Sequence, residues 1–204
     1  MITIIDCGMG NLRSVQKAFE HLGYPAQISS SPDDIEKGLK LVLPGDGAFG
    51  DEMKRLKELG LTSPILEAVG KGVPFLGICV GQQVLFDASE EFGNHRGLGL
   101  FQGRIKRLPE GLPVPHMGWN QLHLKKNSSL LAGVAPESFV YFIHSYYIAE
   151  CDWAEVTATT DYGFEFPVVI EHDNVFSTQF HPEKSQCPGL RLLKNFAEIP
   201  NVQR

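Results

Sequence analysis

An apolar run over residues 73–78 ends in Gly77-Ile78-Cys79-Val80-Gly81, followed by Gln82-Gln83. This junction constrains the fold more than any other stretch of the chain. A strand must stop at Cys79 and turn at once, and glycines on both sides remove the Cβ atoms that would block so tight a turn. We expect a strand over 73–78 and a helix beginning over 81–86. The rest of the first half repeats this alternation. MITIID reads as a strand, 26–29 and 40–43 as two more, and Leu12, Val15, Phe19 and Leu22 fall at helical spacing. Pro44-Gly45-Asp46-Gly47 breaks the third strand. Asp51 is expected to cap a helix running to residue 59, and Pro64 suits the first turn of another.

The second half is richer in strands, with candidates near residues 98–105, 120–124, 139–143, 154–159, 166–171 and 174–180. Their connections are short, which favours antiparallel pairing. A last helix is expected from about Pro188, burying Leu190, Leu193 and Phe196. Alternating strands and helices predict a parallel sheet covered on both faces. We therefore expect a single α/β domain spanning 1–204, with an open, mixed but mostly parallel sheet. Its functional loops should gather at the C-terminal ends of the parallel strands.

The net charge of −6 argues against a nucleic-acid partner, which usually needs a basic face, although an overall charge leaves room for local basic patches. No apolar run is long enough to span a membrane. The opening apolar run is too short for a signal peptide and is followed by Asp6 and glycines. Cys7, Cys79, Cys151 and Cys187 form no Cys-x-x-Cys pair, so neither a zinc knuckle nor a dithiol redox motif is indicated. A reducing, cytoplasmic setting is expected.

Strand, Gly-x-Cys-x-Gly, helix is the arrangement that presents a nucleophile on a sharp turn; with serine it is the nucleophile elbow of α/β hydrolases. A helix starting beside the sulfur would favour thiolate through its positive end. A candidate base follows the strand over 174–180, in His181-Pro182-Glu183. In an extended segment residues two apart point the same way, which would bring the Glu183 carboxylate to the His181 ring. The acid would hold one tautomer and stabilise the charged imidazole, while His181 takes the thiol proton and later protonates the leaving amine. The tetrahedral oxyanion needs aligned donors. The Val80 N–H is one candidate, and Asp46 or Gly47 of the Pro-Gly-x-Gly turn is expected to supply the second. Each feature has a structural alternative: a buried thiol, a surface His-Glu pair, an ordinary turn.

Together these segments resemble the class I, triad-type glutamine amidotransferases, whose marks are the elbow with a glutamine four residues past the cysteine, here Gln83, and a later Phe180-His181-Pro182-Glu183. The resemblance runs along the chain almost end to end, carried by further blocks. They are Asp6-Cys7-Gly8-Met9-Gly10-Asn11-Leu12-Arg13-Ser14-Val15, Pro44-Gly45-Asp46-Gly47-Ala48-Phe49-Gly50, Pro115-His116-Met117-Gly118-Trp119-Asn120 and His181-Pro182-Glu183-Lys184-Ser185-Gln186. They are similar to the branch of that family whose members are glutaminase subunits in histidine biosynthesis. The pattern departs at Asp46, where a small apolar residue is usual, and more mildly at Cys7, Val80 and Gln82. The Asp46 side chain is expected to point away from the oxyanion.

The resemblance implies a flavodoxin-like fold and glutamine hydrolysis through a Cys79 thioester, with no metal or organic cofactor. It implies a heterodimer in which ammonia passes to a separate (β/α)8-barrel cyclase subunit. That subunit would use it on a phosphoribulosyl formimino nucleotide, giving imidazole glycerol phosphate and an aminoimidazole carboxamide ribonucleotide. By position in the motifs, Gln83, Glu91, Ser145 and Tyr146 would contact glutamine, and Asn11, Trp119, Tyr141 and Lys184 would face the cyclase. Gly8-x-Gly10 also resembles a phosphate loop, but the family reading assigns it no nucleotide. The alternatives are a stand-alone cysteine hydrolase or peptidase, a glutaminase of another amidotransferase, and a non-catalytic module on the same fold.

Overall fold

The computed structural model describes residues 1–201. The chain opens with β1 (Ile2–Ile5), α1 (Leu12–His21), β2 (Ala26–Ser29), α2 (Pro32–Glu36), β3 (Leu41–Gly45), α3 (Phe49–Glu58), α4 (Thr62–Gly70) and β4 (Phe75–Cys79). Then come α5 (Val80–Gln83), β5 (Phe86–Ser89), β6 (His95–Arg96), β7 (Phe101–Arg107), β8 (His116–Gln121), β9 (His123–Leu124) and β10 (Phe139–His144). It closes with β11 (Tyr146–Cys151), β12 (Val156–Asp161), β13 (Glu165–His172), β14 (Val175–Thr178) and α6 (Gln186–Glu198).

The main sheet has the order β2-β1-β3-β4-β14-β13-β12-β9. Pairing is parallel from β2 to β14 and antiparallel from β14 to β9. Every residue of β1, β3, β4 and β14 is buried, the pattern of parallel strands covered on both faces. The steps β1–α1–β2 and β2–α2–β3 run in opposite directions along the sheet. Right-handed crossovers therefore put α1 and α2 on opposite faces, where α1 packs with α6 and α2 with α4. Beyond this sheet stand a four-stranded layer, β11-β7-β5-β6, and the antiparallel pair β10-β8. Among the described residues no helix is long and apolar enough to cross a membrane.

Several local expectations need correction. The helix after Cys79 is a single turn, and the chain becomes β5 at Phe86. The carbonyls of Val84, Leu85, Phe86 and Asp87 accept N–H groups from residues 97–101, a non-local pairing that ends the helix. Asp51 is not a cap: α3 starts at Phe49, whose N–H is instead bound by the Glu91 carboxylate at 2.6 Å. The expected strand 120–124 is two strands in different sheets. The last helix starts at Gln186, so its buried positions are Gly189, Leu192, Leu193 and Phe196, and Leu190 is only half-buried. The pattern did not indicate α2, β5, β6 or β11.

Candidate active site

The elbow at Cys79 is a demand of the backbone. Cys79 has φ 57° and ψ −113°, a conformation an L-residue adopts only when its surroundings enforce it. Gly45 of β3 is paired in register with Cys79, and α5 passes directly over this pair. A Cβ on Gly81 would lie 1.9 Å from the Leu43 carbonyl oxygen, and one on Gly77 would lie 2.5 Å from the Gly81 oxygen. One on Gly45 would lie 2.5 Å from the Gly81 nitrogen. The glycines thus let strand, turn and neighbouring strand pack at backbone contact. The expected helix-dipole contribution shrinks, because four residues align few peptide dipoles. What α5 offers is its first N–H groups, Val80 included, which have no partner within the helix.

His181 lies three residues beyond the end of β14, at the same edge of the sheet as Cys79. Its Nδ1 is 2.9 Å from Glu183 Oε1, and both side chains are buried. The contact is not made by an extended segment as expected. Residues Pro182–Lys184 form a 3-10 turn that folds the carboxylate back onto the ring. The Ser185 hydroxyl donates to the His181 carbonyl and accepts the Tyr141 N–H, tying this turn to β10. Burial alone would lower the His181 pKa, but hydrogen bonding and charge from Cys79 and Glu183 outweigh it and lift it to about 10. With Nδ1 engaged by Glu183, Nε2 is the ring nitrogen left to exchange a proton with the thiol.

A cavity of about 250 Å³ opens at Cys79, lined by Asp46, Gly47, Val80, Gln83, Glu91, Pro115, Ile143, His144, Ser145 and Tyr146. Every residue expected at the oxyanion and at the substrate thus borders one space. Gln83 donates through Nε2 to the Tyr146 carbonyl at 3.0 Å and to Gln179 Oε1 at 2.9 Å, leaving its own oxygen for the cavity. Glu91 spends one carboxylate oxygen on the Phe49 N–H, and burial raises its pKa. Ser145 forms a one-residue bend between β10 and β11. A larger open groove of about 750 Å³ adjoins the far side of Glu91, and Cys79 does not line it.

The oxyanion turn brings a second correction. Asp46 does not simply point away: its Oδ1 accepts the Gly47 N–H at 3.0 Å, so a candidate oxyanion donor is already occupied. Gly47 has φ +95°, where only glycine is unstrained. Of the positions expected to face a partner, Trp119 and Lys184 are exposed, and Asn11 and Tyr141 are half-buried. Trp119 and Tyr141 are cross-strand partners in β8–β10, with ring centroids 5.9 Å apart. Asn11 precedes α1 in the loop whose Gly10 packs on Pro44 of β3.

Three features escaped the sequence reading. Gln179 directs its amide to the Cys79 sulfur at 3.8 Å; its place two residues before His181 was the available signal. His116 and His144 form a buried pair, described below. Cys7 donates to Glu52 at 2.9 Å beneath the first loop; a buried residue 45 positions away leaves no local pattern.

Residues 3–199 match the family model for glutamine amidotransferase class-I. Among curated relatives, the imidazole glycerol phosphate synthase subunit HisH of Aquifex aeolicus (strain VF5) is 53% identical over 194 residues, covering 95% of this chain and 94% of that one. The subunit of the same name from Syntrophotalea carbinolica (strain DSM 2380 / NBRC 103641 / GraBd1) is 52% identical over 206 residues, covering 98% and 100%. Among solved structures, a glutamine amidotransferase with 21% identity superposes with a TM-score of 0.76 over 97% of this chain and 100% of that chain, a likeness of fold. An elbow cysteine, a buried His-Glu pair and relatives at this identity along nearly the whole length agree: the chain belongs to the class-I glutamine amidotransferase family.

Proposed function

We propose that this chain hydrolyses glutamine to glutamate and ammonia and delivers the ammonia to a cyclase subunit with a (β/α)8 barrel. The pair would be a cytoplasmic heterodimer making imidazole glycerol phosphate and aminoimidazole carboxamide ribonucleotide in histidine biosynthesis. The observation that carries the reading is the meeting of Cys79, His181 and Glu183 at one sheet edge, beside a cavity of about 250 Å³, a size that suits one small polar substrate. The roughly fifty per cent identity to subunits of that synthase selects the pathway.

Chemistry follows from the geometry. Cys79 gives its proton to His181 Nε2, and the sulfur attacks the side-chain carbonyl carbon of glutamine. Negative charge builds on the carbonyl oxygen, toward the N–H groups of Val80 and of the Asp46-Gly47 turn. Collapse breaks the carbon–nitrogen bond, His181 protonates the departing amide nitrogen, and ammonia leaves a γ-glutamyl thioester on Cys79. Water, deprotonated by His181, attacks that thioester; glutamate departs and the thiol is restored. Glu183 holds the imidazole in register. Gln83, Ser145 and Tyr146 fix the substrate, and one Glu91 oxygen is available to its ammonium.

Docking would use the outer face of β8–β10. Alternate residues of a strand share a face, so Met117 and Trp119 of β8 and Phe139, Tyr141 and Ile143 of β10 form one apolar ribbon. All but Tyr141 are exposed, a concentration of apolar surface that favours a protein partner. Lys184, next to the triad acid, would carry an interface contact to the catalytic turn. The test is glutamate release by the chain alone, with the cyclase, and with cyclase plus a nucleotide analogue. The reading expects a low first rate and a large rise on addition of both. Equal rates in all three would favour a stand-alone hydrolase.

A further inference from the structure

The Pro115-His116-Met117-Gly118-Trp119-Asn120 block has an inner face as well as an outer one. His116 and His144 are cross-strand partners in β8–β10, both buried and both pointing away from the apolar ribbon. His116 Nδ1 lies 2.9 Å from His144 Nε2. His144 Nδ1 lies 2.8 Å from the Tyr146 carbonyl, and Asn120 Nδ2 lies 3.2 Å from His116 Nε2. Asn120 Nδ2 also donates to the Asp161 carbonyl at 2.7 Å.

Every proton in this chain is fixed by its ends. A backbone carbonyl only accepts, so His144 must carry its proton on Nδ1 and present a bare Nε2. His116 must then carry its proton on Nδ1 and accept at Nε2 from Asn120. Asn120 can hold only one orientation, because its amide nitrogen faces the Asp161 carbonyl and its oxygen accepts the Gln121 N–H at 2.8 Å. Burial lowers both imidazole pKa values, to about 4 at His116 and about 3 at His144, which keeps both rings neutral as the relay requires. Stacking on Tyr162, with centroids 4.0 Å apart, and on Phe142 fixes the His116 ring plane. The relay ends on the carbonyl that Gln83 also grips, at the bend that lines the Cys79 cavity.

We propose that His116 and Asn120 are positioning residues for glutamine binding: by fixing the tautomer of His144 they clamp the Tyr146 carbonyl and hold the Ser145–Tyr146 bend in its binding geometry. The inference rests on glutamine occupying this cavity, as proposed above. It gives the two faces of one strand different tasks, with Met117 and Trp119 outward to a partner and His116 and Asn120 inward to the substrate. Loss of the His116 donor leaves the His144 Nε2 lone pair buried and unpaired. Moving the His144 proton to Nε2 would then set two lone pairs against each other at Tyr146.

Two measurements on the full chain test it. The first is nitrogen NMR of the labelled imidazoles near pH 7. A free imidazole in water prefers its proton on Nε2, so neutral Nδ1–H forms at both His116 and His144 are the signature expected. An Nε2–H form at either ring overturns the relay whatever the substrate is. The second is the glutamine concentration that half-protects Cys79 from iodoacetamide. His116→Phe keeps the aromatic stacking but not the donor and should raise that concentration about tenfold, the worth of a hydrogen bond in a buried site. His116→Gln, which can donate to His144, should recover most of the loss. Protection of wild type with no difference in His116→Phe would overturn the positioning role. Absence of protection in wild type would instead remove the glutamine reading, and the substrate role of the relay with it.

Discussion

His181 and Glu183 are separated by a single proline, yet their side chains meet at 2.9 Å because the chain coils into a 3-10 turn between them. The Glu183 side chain is buried and its Oε2 has no partner among the described residues, so its carboxylate is committed to the imidazole. Glu183→Gln keeps the shape and loses the charge. The lost charge assistance, about 1.5–3 kcal/mol, predicts a kcat lower by about ten- to a hundredfold. His181→Ala, which removes the base itself, should be more severe. The pH profile of Cys79 alkylation should also show the His181 pKa falling from about 10 in Glu183→Gln. Equal and complete loss in both variants, with folding intact, would contradict this division of roles.

Asp46 holds the Gly47 N–H in the turn proposed to face the forming oxyanion. Removing a competitor worth about 0.5–1.5 kcal/mol should release that donor. Asp46→Ala is therefore expected to raise the glutaminase rate of the isolated chain about threefold to tenfold and to shrink the stimulation by cyclase. A rate at or below wild type would show that the carboxylate does not hold the turn in a resting state.

Glu52 is fully buried, and burial raises its pKa from an ordinary 4.5 to about 7. The folded state thus keeps a proton that the unfolded chain releases. Its contribution to stability is complete below pH 4.5 and is lost as pH rises through about 7. The gap corresponds to about 3 kcal/mol. Glu52→Gln stays neutral, so its unfolding free energy should fall less between pH 5 and pH 8.5 than that of wild type, by an amount of that order. Urea unfolding at the two pH values reads the difference; parallel falls would show that Glu52 does not titrate in this range.

Trp119 is the large aromatic of the apolar ribbon and packs edge-on against Tyr141. Central aromatic anchors are worth about 2 kcal/mol or more at protein interfaces. Trp119→Ala should weaken cyclase binding by about thirtyfold or more, read by titration calorimetry. Unchanged affinity would move the docking face elsewhere.

The parallel core was legible in β1, β3 and β4, whose mostly apolar runs alternate with helical segments, whereas β14, Val-Phe-Ser-Thr, joins β4 in parallel although antiparallel pairing was expected in the second half. The elbow was legible because Gly77 and Gly81 answer a local backbone demand. What was missed depends on distant partners. The helix expected over 81–86 stops after one turn because residues 97–101 claim the carbonyls that would continue it. The cap expected at Asp51 comes from Glu91, which sits 42 positions after Phe49. The His116–His144 pair needs the register of two strands that the sequence does not align, and Asp46 looked like a bystander because one side-chain rotation decides what it binds.

The central claim is that Cys79 makes the ammonia a partner subunit consumes. The most direct test assembles Cys79→Ser with the cyclase and compares product formed from glutamine with product formed from added ammonium salt. The account predicts that glutamine-driven synthesis disappears while ammonia-driven synthesis continues at the wild-type rate. Glutamine-driven synthesis that survives the substitution would contradict it, since the nucleophile would then have to lie elsewhere.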